Sequence, residues 1–392
     1  LVCSFYLARI SRTCGSGECA PLPKLSCDDL PDYGKRLADV CRWVEEQGGK
    51  LDGEALRDYP SILFGLETAI RHFFEGTWAL WNTAFSRGEA GIPINGLIWM
   101  GDFDKMLVQI EAKMKGGFRC IKLKIGAINF EEELALLRHI RAHFSAGEVE
   151  LRVDANGAFS PVDAMEKLKR LSELDIHSIE QPIRAGQWEE MARLTSESPL
   201  PIALDEELIG CNTLEGKQRL LSAIRPQYII LKPSLHGGFT GGEEWIAEAE
   251  KRNIGWWITS ALESNIGLNA IAQWCATFNN PLPQGLGTGM LFTDNVDMPL
   301  EIRKDCLWFC KRRLPTMIFD RQKQRLLLEG REYTPDDISR LLAEGENAYP
   351  SAIRDLFLFL REWFNDSPFM KVHTSGSTGT PKELTVRKEQ MM

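Results

Sequence analysis

Ile121-Lys122-Leu123-Lys124-Ile125-Gly126 (IKLKIG, residues 121–126) is a short apolar run that carries two lysines two positions apart. Strand side chains alternate between faces, so Lys122 and Lys124 share one face and Ile121, Leu123 and Ile125 take the other. A sheet wet on one side would accommodate this. A barrel whose strand ends carry chemistry would also give the ammonium groups a reason to be there.

Working outward, the same kind of segment recurs. Strands are predicted at GLIWMG (96–101), CIKLKIG (120–126), LRVDANG (151–157), SIEQPI (178–183), IALDEEL (202–208), YIILKPS (228–234), GWWITSAL (255–262) and QGLGTG (284–289). Amphipathic helices such as FEEELALLRHIRAHF (130–144) and SPVDAMEKLKRLSEL (160–174) lie between them. The second opens with Ser160 as a helix cap and Pro161 in the first turn. Eight strands with intervening helices, repeating at roughly 25–30 residues, predict an α/β fold, a (β/α)8 barrel. A doubly wound open sheet is the alternative, but no Gly-x-Gly-x-x-Gly follows the first strand.

The flanks read differently. Residues 1–93 run from a strand-like SFYLARI through CGSGECAPLPKLS into two helical patterns, as an α+β capping domain that is N-terminally incomplete. The barrel spans residues 94–305. Residues 306–392 form a third segment with an aromatic helix over 352–364, expected to pack poorly or against the barrel.

Composition narrows the function. The chain has 392 residues, 44% hydrophobic and 26% charged, with a net charge of −9. That balance, without a Lys/Arg-rich stripe, argues against a nucleic-acid partner. No apolar run approaches the ~20 residues that span a bilayer. The ten cysteines show no zinc-site spacing and read as reduced thiols of a cytoplasmic protein.

In such barrels catalysis gathers at the C-terminal ends of the strands. Here those ends carry Lys122 and Lys124, Asp154 with Asn156, Glu180, Asp205 and Lys232. From Lys124 the steps are 30, 26, 25 and 27 residues, one per βα unit. A lone strand-end aspartate is usually a turn or cap residue, and a lone lysine is usually solvated. An in-phase series around one rim is neither. Closing the barrel brings three carboxylates together between lysines, a hard-oxygen site suited to Mg²⁺, with Mn²⁺ as a substitute. Asn156 and Glu206 are expected to orient that set from behind.

IKLKIG, RVDANGAF, IEQPI, ALDEEL and ILKPSLHGG together resemble the enolase superfamily, muconate-lactonizing subgroup. The likeness covers residues 1 to about 305. It implies Asp154, Glu180 and Asp205 as metal ligands, Lys124 and Lys232 facing each other across the substrate, and Lys122 tuning Lys124. Such enzymes remove a proton α to a carboxylate through a Mg-stabilised enediolate, with a lysine or histidine base. Within the subgroup the resemblance is to the branch that dehydrates 2-succinyl-6-hydroxy-2,4-cyclohexadiene-1-carboxylate to o-succinylbenzoate in menaquinone biosynthesis. It implies Lys124 as both base and acid, and Ser260, Glu263 and Gly287 as contacts to a small carboxylate substrate. N-succinylamino-acid racemases and dipeptide epimerases of the same superfamily are the alternatives. Dipeptide epimerases usually carry Asp-x-Asp where this chain has Gly287-Thr288-Gly289.

The tail TSGSTGTPK (374–382) resembles the phosphate loop of adenylate-forming acyl-CoA ligases. It offers glycines for close backbone approach and the donors Thr374, Ser375, Ser377, Thr378 and Lys382, with Gly376 and Gly379 between. The resemblance implies the start of a ligase fused to the barrel, of the kind that consumes its product. A nucleotide-binding scaffold is the non-enzymatic alternative. Without the rest of a ligase behind it, the loop is expected to be vestigial, with residues 374–392 mobile.

Overall fold

The computed structural model describes residues 4–10, 13–293, 295–310, 326–328, 331–344, 354–373 and 383–388. Two compact units divide the chain, Leu1–Lys311 and Arg312–Met392.

The first unit begins with an antiparallel hairpin, β1 (Ser4–Ile10) and β2 (Thr13–Cys19), followed by α1 (Tyr33–Glu46) and α2 (Pro60–Glu75). Pro60 sets the first turn of α2, and Gly76, at φ 63°, ends it in the left-handed conformation. Leu37, Val40 and Val44 of α1 bury one helical face against Ile62, Leu63 and Leu66 of α2. β2 lies so close on α2 that a Cβ on Gly17 would fall 1.8 Å from the Gly65 carbonyl oxygen.

β3 (Ile92–Pro93) leads into the barrel, which runs β4 (Gly96–Ile98), α3 (Phe103–Lys115), β5 (Cys120–Lys124), α4 (Phe130–His143), β6 (Glu150–Asp154), α5 (Pro161–Ser172), β7 (Ser178–Glu180), α6 (Trp188–Glu197), β8 (Ile202–Leu204), α7 (Leu214–Ile224), β9 (Tyr228–Leu231), α8 (Gly238–Glu250), β10 (Gly255–Ile258) and α9 (Asn265–Cys275). The seven strands β4 to β10 form one parallel sheet in sequence order. Ser160 caps α5 as expected, accepting from the Asp163 amide. Ile121, Leu123, Val153, Ile179, Ile202 and Leu204 join helix residues such as Leu137, Leu168 and Leu194 in the main core. The alternate positions Lys122, Arg152 and Ser178 stand in register along neighbouring strands.

The expected eighth βα unit is reduced. Gln284 bridges to Ile94 and Gly285 to Thr259, both parallel, so these two residues link the segment entering β4 to the end of β10 in place of a strand over 284–289. Gln284 accepts from the Asn95 amide at 3.0 Å, and the Gly285 amide donates to Ile258 at 2.8 Å. A 3-10 turn, Thr288–Leu291, follows. A Cβ on Gly285 would meet Thr259 at 2.3 Å, so this narrow staple needs glycine. The fold is a curled seven-stranded parallel sheet, consistent with a modified (β/α)8 barrel whose last unit is a two-residue link.

β11 (Leu300–Arg303) and β12 (Cys306–Phe309) then pair with each other and with β3. The expected boundary at 305/306 therefore cuts a hairpin, and the first unit continues to Lys311.

The second unit has a hairpin, β13 (Leu326–Leu328) with β14 (Arg331–Tyr333), then α10 (Pro335–Glu344) and α11 (Arg354–Trp363). Leu360 and Phe364 bury against Ile338, so the aromatic helix has its own partner in α10. That corrects the expectation of poor packing. β15 (Phe369–His373) pairs with β16 (Glu383–Arg387), which replaces expected mobility over 383–387 with a strand. The glycine-rich stretch 374–382 lies outside the described residues.

Gly17→Ala is expected to lower stability by about 1–3 kcal/mol in urea unfolding, because backbone faces the new methyl group. Gly53→Ala, with nothing within 4 Å, should change it by less than about 0.5 kcal/mol. Equal effects would show that the β2–α2 approach is not tight.

Candidate metal centre and substrate cavity

Strand register builds the site. Lys124 pairs with Asp154, and Asp154 with Glu180, so three charged side chains stand in a row at the ends of β5, β6 and β7. Asp205 follows β8 and Lys232 follows β9. One carboxylate oxygen from each of Asp154, Glu180 and Asp205 lies within 4.8 Å of the others, and all three residues are buried. The turns hold this geometry. Beyond β5, Gly126 takes φ 91°, and Glu133 of α4 accepts from the Gly126 and Ala127 amides at 2.6 and 3.2 Å. Beyond β6, Asn156 and Gly157 turn in the left-handed region, at φ 43° and 73°.

The lysines neutralise the carboxylates. Lys122 bridges Asp154, at 2.9 Å, and Glu180. Lys124 donates to Asp154 at 2.7 Å and to Asn156 Oδ1 at 2.8 Å. Lys232 donates to both oxygens of Asp205 at 2.6 Å. Asn156 in turn donates to Glu206 at 2.8 Å. Burial would raise the Asp154 carboxyl, but Lys122 and Lys124 outweigh it and hold the group well below the usual range. Glu180 goes the other way. Burial, opposed by Lys122 and reinforced by Asp154 and Asp205, pushes it up to about 7. Burial also lifts Glu206, helped by the charge of Asp205. Lys122 and Lys232 resist the lowering that burial imposes, because carboxylates on both sides raise them.

The donor set fits a hard divalent cation. Three carboxylates without nitrogen or sulfur suit Mg²⁺ or Mn²⁺, with remaining positions for water and substrate oxygen. Glu180 Oε1 is buried and has no hydrogen-bond partner, an acceptor that a cation would satisfy. Asp154 Oδ2 receives both Lys122 and Lys124, so a cation competes with ammonium groups for the same oxygens.

Beside the cluster a cavity is lined by Lys122, Lys124, Asn156, Glu206 and Lys232, and by Ser260 and Gly287 from the last two units. These are residues singled out in the sequence. Glu263 is not among them: it is 1% exposed, accepts from Ser234 Oγ, and takes the Ala261 amide at 2.7 Å. It ties the loops after β9 and β10 together instead of facing a substrate. Ser260 Oγ meets Thr288 Oγ1, so a ligand would have to exchange with that contact.

Sequence reasoning missed Gln181. Its Oε1 accepts from the Asp205 and Glu207 amides at 3.1 and 3.2 Å, and its Nε2 reaches Glu207 at 3.1 Å. It thereby spaces Glu180 from Asp205. A buried amide immediately after Glu180, in phase with apolar Ile179, was the available signal. The apolar wall of Leu22, Leu25, Leu97 and Trp99 was missed as well: Leu22 and Leu25 are isolated apolar residues between regular elements, and Leu97 and Trp99 read as ordinary strand positions.

A parallel barrel with three carboxylates and flanking lysines at its strand ends has clear relatives. Residues 105–312, more than half of the chain, match the family described as Enolase C-terminal domain-like, and the chain belongs to that family. It is similar to the "o-succinylbenzoate synthase" of Desulfotalea psychrophila, with 53% identity over 275 residues, covering 70% of this chain and 73% of that protein. A crystal structure of "MenC" from the same organism matches with a TM-score of 0.68 and 44% identity, covering 78% of this chain and 99% of that one. The "L-Ala-D/L-Glu epimerase" of Bacillus subtilis is 26% identical over 179 residues, 45% of this chain and 48% of that protein. No helix among the described residues is long and apolar enough to cross a membrane.

Asp154→Asn, Glu180→Gln and Asp205→Asn should each weaken Mg²⁺ binding at least about tenfold by calorimetry, with unchanged circular dichroism. Cation binding requires Glu180 ionised, so affinity should fall as pH drops below about 7 and level off above it. Affinity independent of pH between 5.5 and 8 would contradict a Glu180 carboxyl raised to about 7.

Proposed function

We propose that this chain is a Mg²⁺-dependent hydro-lyase, an o-succinylbenzoate synthase acting on 2-succinyl-6-hydroxy-2,4-cyclohexadiene-1-carboxylate. The observation that carries this is the pair of ammonium groups on opposite members of the carboxylate cluster, Lys124 on Asp154 and Lys232 on Asp205. The 53% identity to a protein of that activity supports the choice of substrate.

The α-proton of a carboxylate is very weakly acidic, so charge must be met where it develops. Mg²⁺ held by Asp154, Glu180 and Asp205 would supply Lewis-acid stabilisation to the substrate carboxylate. Lys124 Nζ takes the α-proton. The resulting ammonium returns that proton to the departing ring hydroxyl, the C–O bond breaks, water leaves and the ring aromatises. Lys232 sits against the opposite face and balances charge without transferring a proton. Lys122, bridging Asp154 and Glu180, keeps a fixed positive charge beside Lys124. Asn156 orients Lys124 and is held by Glu206. Ser260 and the Gly287 backbone offer donors to the succinyl carboxylate.

The same two lysines could exchange an α-proton from both faces, so racemisation of N-succinylamino acids is the second reading. Gly287-Thr288-Gly289 supplies no carboxylate for a substrate ammonium, which weighs against a dipeptide. Cys19, Cys27, Cys41, Cys120, Cys211 and Cys275 are thiols, in keeping with action in the cytoplasm. For residues 374–382, the phosphate-loop likeness is supported by the motif itself. The family match ends at residue 312, so a ligase segment rests on that motif alone.

Dehydration, followed by the absorbance of the aromatic product, tests the assignment. Lys124→Ala should lose about 10²–10⁴-fold in rate or more, since one group serves two steps. Lys232→Ala should lose about 10²–10³-fold, as for a lost electrostatic stabiliser. Racemisation of an N-succinylamino acid without any dehydration would reverse the two readings.

A further inference from the structure

Trp99 stands just beyond β4, lines the cavity and is 41% exposed. An indole left half in water contributes little to a core, and Trp99 belongs to none of the buried clusters among the described residues. Its backbone is nevertheless pinned. Gln109 of α3 accepts from the Trp99 amide at 2.8 Å and donates to the Trp99 carbonyl at 3.1 Å, a closed pair that substitutes for strand pairing past the end of β4. The fold thus fixes where this exposed aromatic begins. The ring points toward chemistry: Lys124 Nζ lies 5.9 Å from its centroid. Any carbon that Lys124 deprotonates must therefore approach within reach of the indole. Leu22 and Leu25 of the capping segment and Leu97 add apolar surface to the same cavity.

We propose that Trp99 is a specificity-determining residue, a flat wall that lies against the conjugated diene face of a six-membered ring as its α-carbon reaches Lys124, with Gln109 as its positioning residue. The inference rests on the functional reading above and deepens it to a substrate class: cyclic, conjugated carboxylates in preference to acyclic ones. An aromatic face gains from an aromatic or diene ring through offset stacking that a flexible acyl chain cannot match. Stacking of this kind is made to substrate and product alike, so it belongs to binding and not to the barrier.

The test uses the full chain with Mg²⁺, in wild type, Trp99→Phe, Trp99→Ala and Gln109→Leu forms. Calorimetry measures binding of Mg²⁺, o-succinylbenzoate and acyclic glutarate, and the dehydration assay measures KM and kcat. Expected for Trp99→Ala is about tenfold weaker o-succinylbenzoate binding and a similar rise in KM. Glutarate and Mg²⁺ affinities and kcat should stay within about threefold. Trp99→Phe should restore most of the loss, and Gln109→Leu should show a smaller loss of the same pattern. Equal losses for o-succinylbenzoate and glutarate, a loss confined to kcat, or no rescue by phenylalanine would overturn the proposal. A wild type that binds o-succinylbenzoate but does not dehydrate would overturn the functional reading, leaving the ring wall to be judged by the binding of the variants. A wild type that does not bind it at all would overturn both.

Discussion

Three carboxylates gathered within 4.8 Å in a buried place repel one another, and the barrel is arranged around that repulsion. At an effective dielectric of about 20, each ionised pair costs about 3–4 kcal/mol. Part of the relief comes from Lys122, Lys124 and Lys232, each contacting one or two of the acids. Part comes from Glu180, whose proton affinity rises toward neutrality. A divalent cation relieves all three carboxylates at once, which is why such a cluster is both costly and useful. A cation held there would share Asp154 Oδ2 with Lys124, the lysine assigned to the substrate chemistry, while Lys122 keeps its place between Asp154 and Glu180.

Holding that cluster at fixed spacing requires stiff strand ends, and the loops supply them. Gln181 links the turn after β7 to the start of the turn after β8, so Glu180 and Asp205 cannot drift apart independently. Glu133 fastens the turn after β5. His236 Nδ1 accepts from the Lys232 amide at 3.0 Å, and burial beside Lys232 and Lys217 keeps its imidazole neutral. The capping region is tied to the same rim. Glu18 accepts from the Ser264 and Gly267 amides at the start of α9, and Glu67 from the Phe239 and Thr240 amides at the start of α8. Carboxylates suit these positions because the first turn of a helix presents unpaired N–H groups and partial positive charge. Arg57, on Glu244 and the Asn212 carbonyl, adds a third tie. Leu22 and Leu25 are thereby held over a cavity they could not otherwise reach.

The seven regular strands were legible because each couples an apolar face with a helix of matching period, a local property repeated along the chain. The eighth was not. Gln284 and Gly285 are placed by partners on two strands far away in sequence, and no local pattern distinguishes a two-residue link from a strand. Glu263 looked like a substrate contact because it follows a strand end beside Ser260. The fold spends its charge on Ser234 and a backbone amide. Helix 354–363 was expected to pack poorly, yet the preceding helix α10 meets it through Ile338, because pairing of adjacent helices is set by the connection between them and not by either helix's own period.

By itself, then, the sequence determined which residues could carry the chemistry. Charges spaced one βα unit apart must meet on one rim once parallel strands register, and that register follows from alternation and length alone. Tertiary structure decided the division of labour among them: which lysine contacts which acid, that Glu180 is the carboxyl driven toward neutrality, and that Trp99 walls the cavity. Those outcomes depend on distances of a few ångströms and on burial. Both are set by packing between segments remote in the chain, and neither leaves a periodic trace in it.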